Sequence, residues 1–311
     1  MSNTSCLACR NAENNRRVEA QEMMYGTRER FQYVECSKCH SLGISSVPAD
    51  LGKYYASDYY SFGRAKGGLR GYLKNQRLRH TLGCGGIQGA MVARIFGPQS
   101  RSTWMRLLPV SLEDRILDVG CGSGSLLYDL RSAGFKHLVG LDPFVREEVK
   151  TKGLRIVRGS LETWTENHEV VMMHHSFEHM ADPSAVLANV RRILPPAGRA
   201  LIRTPVAACF AWRHYGAHWV QLDAPRHLFI PSVEGMKQLA ERAGLKLERV
   251  EFDSTDFQFW GSELYQRGIS LQNVKKEQYF DDEQLKTFRQ RAEELNRKAD
   301  GDSGCFLLRK E

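Results

Sequence analysis

From Arg115 onward, short apolar runs alternate with stretches of helical periodicity. The runs are Ile116–Val119, Leu138–Leu141, Leu154–Val157, Val170–His174 and Arg199–Arg203. Each is too short for a buried helix and is bounded by polar or Gly-containing segments, so they read as buried strands of a doubly wound α/β sheet. Helices are predicted between them over Gly124–Ala133, Phe144–Lys150 and Pro183–Leu194, the last behind Asp182, a favourable N-cap. A further helix is expected from Ser232 to Gly244, then a strand over Leu245–Phe252, a charged amphipathic helix over Asp281–Lys298 and a final strand over Cys305–Arg309. Upstream, Leu69, Leu73, Leu78 and Leu82 recur among basic residues and predict amphipathic helices joined by the Gly83–Gly89 stretch. Residues 1–60 show little helical periodicity, and no internal repeat or low-complexity segment is evident.

The chain has 311 residues, of which 42% are hydrophobic and 26% charged. That suits a catalytic domain plus a small accessory module and excludes a disordered or fibrous chain. The expected division is 1–60 as a metal-held module, 61–111 as a basic helical linker or lid, and 112–311 as the α/β domain. No apolar run approaches the ~20 residues of a membrane helix, and the N-terminus lacks a basic region followed by an apolar one. A cytoplasmic, non-secreted protein without a membrane span is expected. The net charge of +8 is unevenly spread: Tyr59 to Leu112 contains nine Lys or Arg and no Asp or Glu. Such a window suits an acidic partner, whether a phosphorylated substrate, nucleic acid or an anionic membrane surface, with a solvated helical face as the bland alternative.

The most specific signal is Asp118-Val119-Gly120-Cys121-Gly122-Ser123-Gly124, a strand running into a glycine-rich turn and a helix. Such a turn lets the backbone approach a nucleoside closely. Twenty-two residues after Gly120, the next strand ends in Asp142, where a carboxylate can accept hydrogen bonds from ribose hydroxyls. The glycines fall as GxGxG rather than the dinucleotide GxGxxG. Asp118 just before them would repel a pyrophosphate and attract a cation.

This stretch resembles the first motif of class I S-adenosylmethionine-dependent methyltransferases, a likeness that extends over about 115–310. It implies a Rossmann-like seven-stranded sheet and the cofactor S-adenosylmethionine, held by Asp118, Gly120, Cys121, Gly122, Gly124, Asp142, Pro143, Leu161, Glu162 and His175. Ser160 stands near a position where the family usually has an acidic residue, so the adenine contacts of Leu161 and Glu162 are carried by position alone. Glu178-His179-Met180-Ala181-Asp182-Pro183 is similar to the EHxxDP segment of small-molecule methyltransferases. Trp219 to Phe229 looks like the WxxxDxPRHLF segment of methyltransferases in sugar and polysaccharide pathways.

A general base near neutral pH is what an attacking hydroxyl needs, and His175, His179, His218 and His227 are the candidates. The preferred base is His227, with Asp223 expected to orient it, or else His179. Each histidine could equally be structural.

Cys6-x-x-Cys9 and Cys36-x-x-Cys39, separated by 26 residues, supply four thiolates for one tetrahedral, closed, structural zinc. The module, followed by Tyr54-Tyr55 and Tyr59-Tyr60, resembles that of a subset of these methyltransferases associated with nucleotide-linked sugars, surface polysaccharides and secondary products. The glycine often found after the first knuckle is replaced here by Arg10 and Asn11. The leading expectation is methyl transfer to a hydroxyl or carbon of a small anionic, sugar-like acceptor. An RNA methyltransferase using the basic window and a non-catalytic cofactor-binding scaffold are the alternatives.

Overall fold

A computed structural model describes residues 5–55, 69–83, 86–96 and 100–311. Tyr59 and Tyr60, the first part of the basic window with Arg64 and Lys66, and Cys84 lie outside them.

In chain order, β1 (Arg16–Gln21), β2 (Arg30–Glu35) and β3 (Leu42–Ile44) form the N-terminal strands, and α1 (Leu69–Thr81) and α2 (Gly86–Phe96) form a helical hairpin. The α/β half begins with β4 (Arg115–Val119), α3 (Ser125–Ser132), β5 (His137–Asp142), β6 (Val149–Thr151), β7 (Leu154–Arg158) and β8 (Val170–His174). It continues with α4 (Pro183–Ile193), β9 (Arg199–Pro205), α5 (Phe210–Tyr215), β10 (Phe229–Ile230), α6 (Val233–Arg242) and β11 (Leu245–Phe252). The chain closes with α7 (Phe257–Gln266), α8 (Asp282–Arg297) and β12 (Ser303–Lys310).

The large sheet has the order β11-β12-β9-β8-β4-β5-β7-β6. From β9 to β7 the neighbours are parallel, whereas β12 runs antiparallel to both β9 and β11. This is the Rossmann-like class I methyltransferase sheet of seven strands, with β6 added antiparallel at one edge. The alternation of side chains along each strand explains why the runs are apolar on both faces. Leu117, Val171, Met173 and Ile202 pack on the side of α4 and α6, while Ile116, Val170, Met172 and Leu201 pack on the side of α3 and α1. The chain reverses its direction of travel across the sheet between β4 and β8, and ligands of open α/β sheets bind beyond the strand ends at such a point.

The expected helix over 144–150 is absent. Asp142 accepts the Phe144 N–H, and the Arg158 guanidinium takes the Val145 and Arg146 carbonyls. Those groups are then lost to an i→i−4 ladder, and the chain turns into β6 instead.

The N-terminal strands form a four-stranded sheet β1-β2-β3-β10, whose last strand comes from the α/β half, with Phe229 opposite Gly43 and Ile230 opposite Leu42. The cysteine knuckles pack against α6. Ser232 caps that helix by accepting the Gly235 N–H at 2.9 Å, while its own N–H donates to Ser41 Oγ at 3.0 Å and its hydroxyl donates to the Cys39 carbonyl. A Cβ on Gly235 would lie 2.0 Å from Ser41 Oγ and 3.2 Å from Ala8 Cβ. Gly→Ala inside a helix ordinarily stabilises by up to ~1 kcal/mol. Here Gly235→Ala is expected to destabilise by about 1–3 kcal/mol through overpacking, read as a lower urea midpoint. A raised midpoint would show that α6 and the knuckles are not tightly packed.

Candidate functional site

The glycine turn is built by close packing. Gly120 has φ +76° and its N–H donates to the Leu141 carbonyl at 2.8 Å. A Cβ there would meet Ser176 Cβ at 2.4 Å, and the Ser176 hydroxyl donates to the Val119 carbonyl at 2.7 Å. The turn thus brings the ends of β4 and β8 together. Cys121 packs its thiol against Gly140 on β5, from where it donates to the Gly122 carbonyl at 3.6 Å.

Two carboxylates flank this turn. Asp142 Oδ2 accepts the Gly122 N–H at 3.0 Å and Oδ1 accepts the Phe144 N–H at 2.8 Å. Each oxygen keeps a lone pair for a further donor. Asp118 is buried, and its Oδ1 has no hydrogen-bond partner. Burial, reinforced by the charge of Asp142, pushes its carboxyl up to about 7. An orphaned buried carboxylate beside a left-handed glycine turn is what a cationic ligand group would satisfy. Leu161 is buried in the core that α4 and α6 share, while Glu162 and Pro143 are exposed.

Across the β4–β8 switch, a cavity of about 410 Å³ is lined by His175, Glu178, His179, Arg203, Asp223, His227, Gln258 and Asp302, with others. Glu178 is its anchor. Burial alone would push its carboxyl up, but the hydrogen bond from His175 and the neighbouring imidazoles hold it well below the usual carboxylate range. Its two oxygens are engaged by His175 Nδ1 at 3.2 Å and Thr204 Oγ1 at 3.0 Å.

The structure brings His179 and His227 together, with ring centroids 4.9 Å apart. His179 Nδ1 lies 2.9 Å from the Arg226 carbonyl, and His227 Nδ1 lies 2.7 Å from the Gln221 carbonyl. A carbonyl only accepts, so Nδ1 carries the hydrogen in both rings and Nε2 is the basic atom of each. Burial pushes His227 down to about 4, which keeps it neutral at pH 7. One ligand atom from each of Glu178, His179 and His227 falls within 4.8 Å of the others.

Asp223 does not form the expected hydrogen bond to His227. Its carboxylate is 3.6 Å from His227 Nε2 and is instead gripped by the fork of the buried Arg226, at 3.0 Å from Nε and 2.7 Å from Nη2. The orienting group of His227 is the Gln221 carbonyl, and a backbone acceptor leaves no residue-type signal in the sequence. Tyr55, whose hydroxyl lies 3.1 Å from His179 Nδ1, was missed as a partner of the site. Its only sequence signal was the paired tyrosines after the knuckles. His175 sits in the cavity against Glu178 and Arg203. His218 lies on the turn after α5.

The cysteine knuckles repeat one geometry. Arg10 N–H donates to the Cys6 carbonyl at 2.8 Å and His40 N–H to the Cys36 carbonyl at 3.0 Å, with φ of +64° and +60° at Arg10 and His40. Arg10 therefore takes up the left-handed turn without the glycine. The Sγ atoms of Cys6 and Cys39 are 3.5 Å apart, those of Cys9 and Cys36 3.4 Å, and all four lie within 4.8 Å. Four thiolates on one tetrahedral zinc stand about 3.8 Å apart, given Zn–S of ~2.3 Å. The cluster is compatible with such an ion.

A family profile described as a methyltransferase domain matches residues 92–250, just over half of the chain. The chain belongs to this methyltransferase family. The family is one of S-adenosylmethionine-dependent enzymes, in keeping with the sheet order and the glycine turn. The ubiquinone biosynthesis O-methyltransferase of Cereibacter sphaeroides is 32% identical over 127 residues, 36% of this chain and 50% of that protein. The tRNA U34 carboxymethyltransferase of Cellvibrio japonicus is 31% identical over 119 residues, 33% of this chain and 37% of that protein. The chain spans about half the length of the curated relatives it matches. Among solved structures, a chain of the complex between the Haloferax volcanii Trm112 methyltransferase activator and a putative methyltransferase aligns with a TM-score of 0.48 and 19% identity. That alignment covers 68% of this chain and 88% of that one.

The orphaned carboxylate has a consequence for stability. Asp118 titrates near 4 in the unfolded chain and at about 7 in the folded one. Its raised value means that the ligand-free protein loses stability as pH rises from about 4 to about 7, and no further above that. Asp118→Asn is expected to flatten this part of a plot of Tm against pH and to raise Tm at pH 8. An unchanged profile would mean that Asp118 is ionised and satisfied in the ligand-free state.

Proposed function

We propose that this chain transfers the methyl group of S-adenosylmethionine to a hydroxyl or carbon of a small, polar, anionic acceptor of sugar-like character. The observation that carries the reading is the meeting of two unlike sites at one sheet edge. A glycine turn with an unsatisfied carboxylate lies on one side of the β4–β8 switch, and a cavity with two adjoining imidazoles lies on the other. Asp118 would face the ammonium and sulfonium charges, the Gly120–Gly124 backbone would follow the nucleoside, and Asp142 would accept from the ribose. Leu161 would pack on the adenine. The cavity is too polar for an unsubstituted aromatic acceptor. Gln258 Oε1 is buried without a hydrogen-bond partner while its amide donates to the Thr255 carbonyl, and Arg203, Thr255 and Ser303 lie beside it. A polyhydroxylated acceptor supplies the donors that such walls lack.

S-adenosylmethionine supplies an electrophilic methyl carbon whose bond to sulfur breaks as the acceptor bond forms, with the electron pair leaving on sulfur. The protein's part is to hold the two reactants in line, which accounts for most of the gain. Nε2 of His227 or His179 takes the acceptor proton, and Glu178 stabilises the imidazolium that forms. In this reading Asp223 acts by fixing Arg226, whose carbonyl orients His179.

The cysteine cluster is assigned one structural zinc, closed to substrate by its four sulfur ligands. Because the knuckles share a core with α6, the metal also supports the catalytic half.

A second reading, methylation of RNA, draws on the basic window and on the name of the Cellvibrio relative. Acceptor assays with nucleotide sugars and with tRNA separate the two.

Calorimetric titration should show micromolar binding of S-adenosylmethionine and none of NADH, and the absence of both would overturn the assignment. Asp142→Ala is expected to weaken the cofactor by about 1.5–3 kcal/mol, the worth of a charged acceptor. His227→Ala should lower turnover by roughly 10²–10⁴-fold with cofactor affinity retained, and undiminished turnover would remove it from the mechanism. Metal analysis should find one zinc per chain, lost together with stability in Cys6→Ser.

A further inference from the structure

The hairpin of α1 and α2 is amphipathic in an inverted sense. Gly89 and Ala93 turn toward α1: Ala93 is buried, and a Cβ on Gly89 would lie 3.1 Å from the Gln76 carbonyl oxygen and 3.3 Å from His80 Cβ. The small residues thus make the helix–helix contact. The large apolar ones are left outside, with Ile87, Met91 and Ile95 exposed to 82%, 62% and 72%. Their i, i+4, i+8 spacing sets them on one stripe along the helix. Among the described residues, this one helix carries three of the seven exposed large apolar side chains, and Arg94 stands exposed beside them.

The charge that this part of the sequence carries narrows what the stripe faces. Between Tyr59 and Leu112 the chain has nine Lys or Arg and no Asp or Glu. A second copy docking on this face would set the exposed Arg94 of each against an equally basic chain segment and be repelled. A nucleic-acid backbone would satisfy the charges but leave three large apolar side chains against phosphates. An anionic lipid surface satisfies both features, since its headgroups are negative and its acyl boundary accepts an apolar stripe. We infer that the α1–α2 hairpin is a docking surface for an anionic membrane, into which Ile87, Met91 and Ile95 insert. The hairpin is well placed to matter. Leu78 and Leu82 of α1 share a core with Trp104 and Met105, and Trp104 stacks on His174 at the end of β8, with ring centroids 4.7 Å apart. Docking would therefore hold the catalytic edge of the sheet near the bilayer.

The test is co-sedimentation of the 311-residue protein, as purified, with phosphatidylcholine vesicles, with and without phosphatidylglycerol. It requires neither cofactor nor acceptor, so its failure is separate from failure of the methyl-transfer assignment. Binding is expected only with the anionic lipid, weakening as salt is raised, and falling at least roughly tenfold in the combined variant Ile87→Ser, Met91→Ser, Ile95→Ser. Circular dichroism and the melting temperature should be unchanged in this variant, since all three side chains are already exposed; Arg94→Glu provides a second variant with a smaller loss. Absence of sedimentation at low salt would overturn the proposal. So would vesicle binding that survives the combined variant. Self-association abolished by that variant, without vesicle binding, would assign the stripe to a second copy, and tight binding of RNA oligonucleotides indifferent to the stripe would assign the basic window to nucleic acid.

Discussion

The placement of the candidate catalytic groups depends on how the backbone of residues 227–230 is held. The Tyr33 hydroxyl donates to the His227 carbonyl at 2.8 Å, the Leu228 N–H donates to the Glu178 carbonyl at 2.7 Å, and the Ile44 N–H donates to the Leu228 carbonyl at 2.9 Å. Phe229 and Ile230 then pair with β3. A segment from late in the chain is thereby clamped between the N-terminal sheet and the loop after β8. His227 meets His179 and Glu178 because of this clamp, and the N-terminal strands are part of the site's framework rather than an appendage. Tyr33 is fully buried, so its bond works in a low-dielectric environment where losing it would leave a carbonyl unsatisfied.

From this clamp the division of labour follows. The parallel strands supply rigid ends at one edge, the glycine turn brings β4 against β8, and the aromatic segment after β9 lines the cavity. That segment is tied to distant parts of the chain by Trp219, whose indole N–H donates to Asp302, and by Trp212, whose indole N–H donates to Glu35 in β2. Polar groups in this region are mostly satisfied by one another. Two of the unpartnered atoms among the described residues, Gln258 Oε1 on the cavity side and Asp118 Oδ1 at the glycine turn, therefore carry information about what binds there.

Much of the α/β half was legible in the sequence because its strands are buried on both faces and its helices carry clear ends. Leu245–Phe252 was read with the boundaries it has, and Asp182 caps α4 as expected, accepting the Ala185 N–H. The helix expected over 144–150 failed because side chains of Asp142 and Arg158 took its backbone groups, a competition that periodicity does not register. The strand Phe229–Ile230 is only two residues long and exists because β3 is there to receive it. In the candidate site, residue types pointed to Asp118, Asp142, His179 and His227. The spacing of Asp223 and His227 suggested a carboxylate–imidazole pair that Arg226 pre-empts. The two side chains do approach to 3.6 Å, but the Asp223 carboxylate is taken up by the Arg226 fork, and the Nδ1 hydrogen of His227 goes to the Gln221 carbonyl instead.

The orphaned oxygen of Asp118 also sets the proton balance of ligand binding. With its carboxyl at about 7, a substantial share of the ligand-free molecules carry a proton there at neutral pH. A cationic ligand group arriving at this oxygen favours the carboxylate and expels that proton. Binding heat would then contain the ionisation enthalpy of whichever buffer accepts the proton, and affinity would climb with pH until the group is already bare.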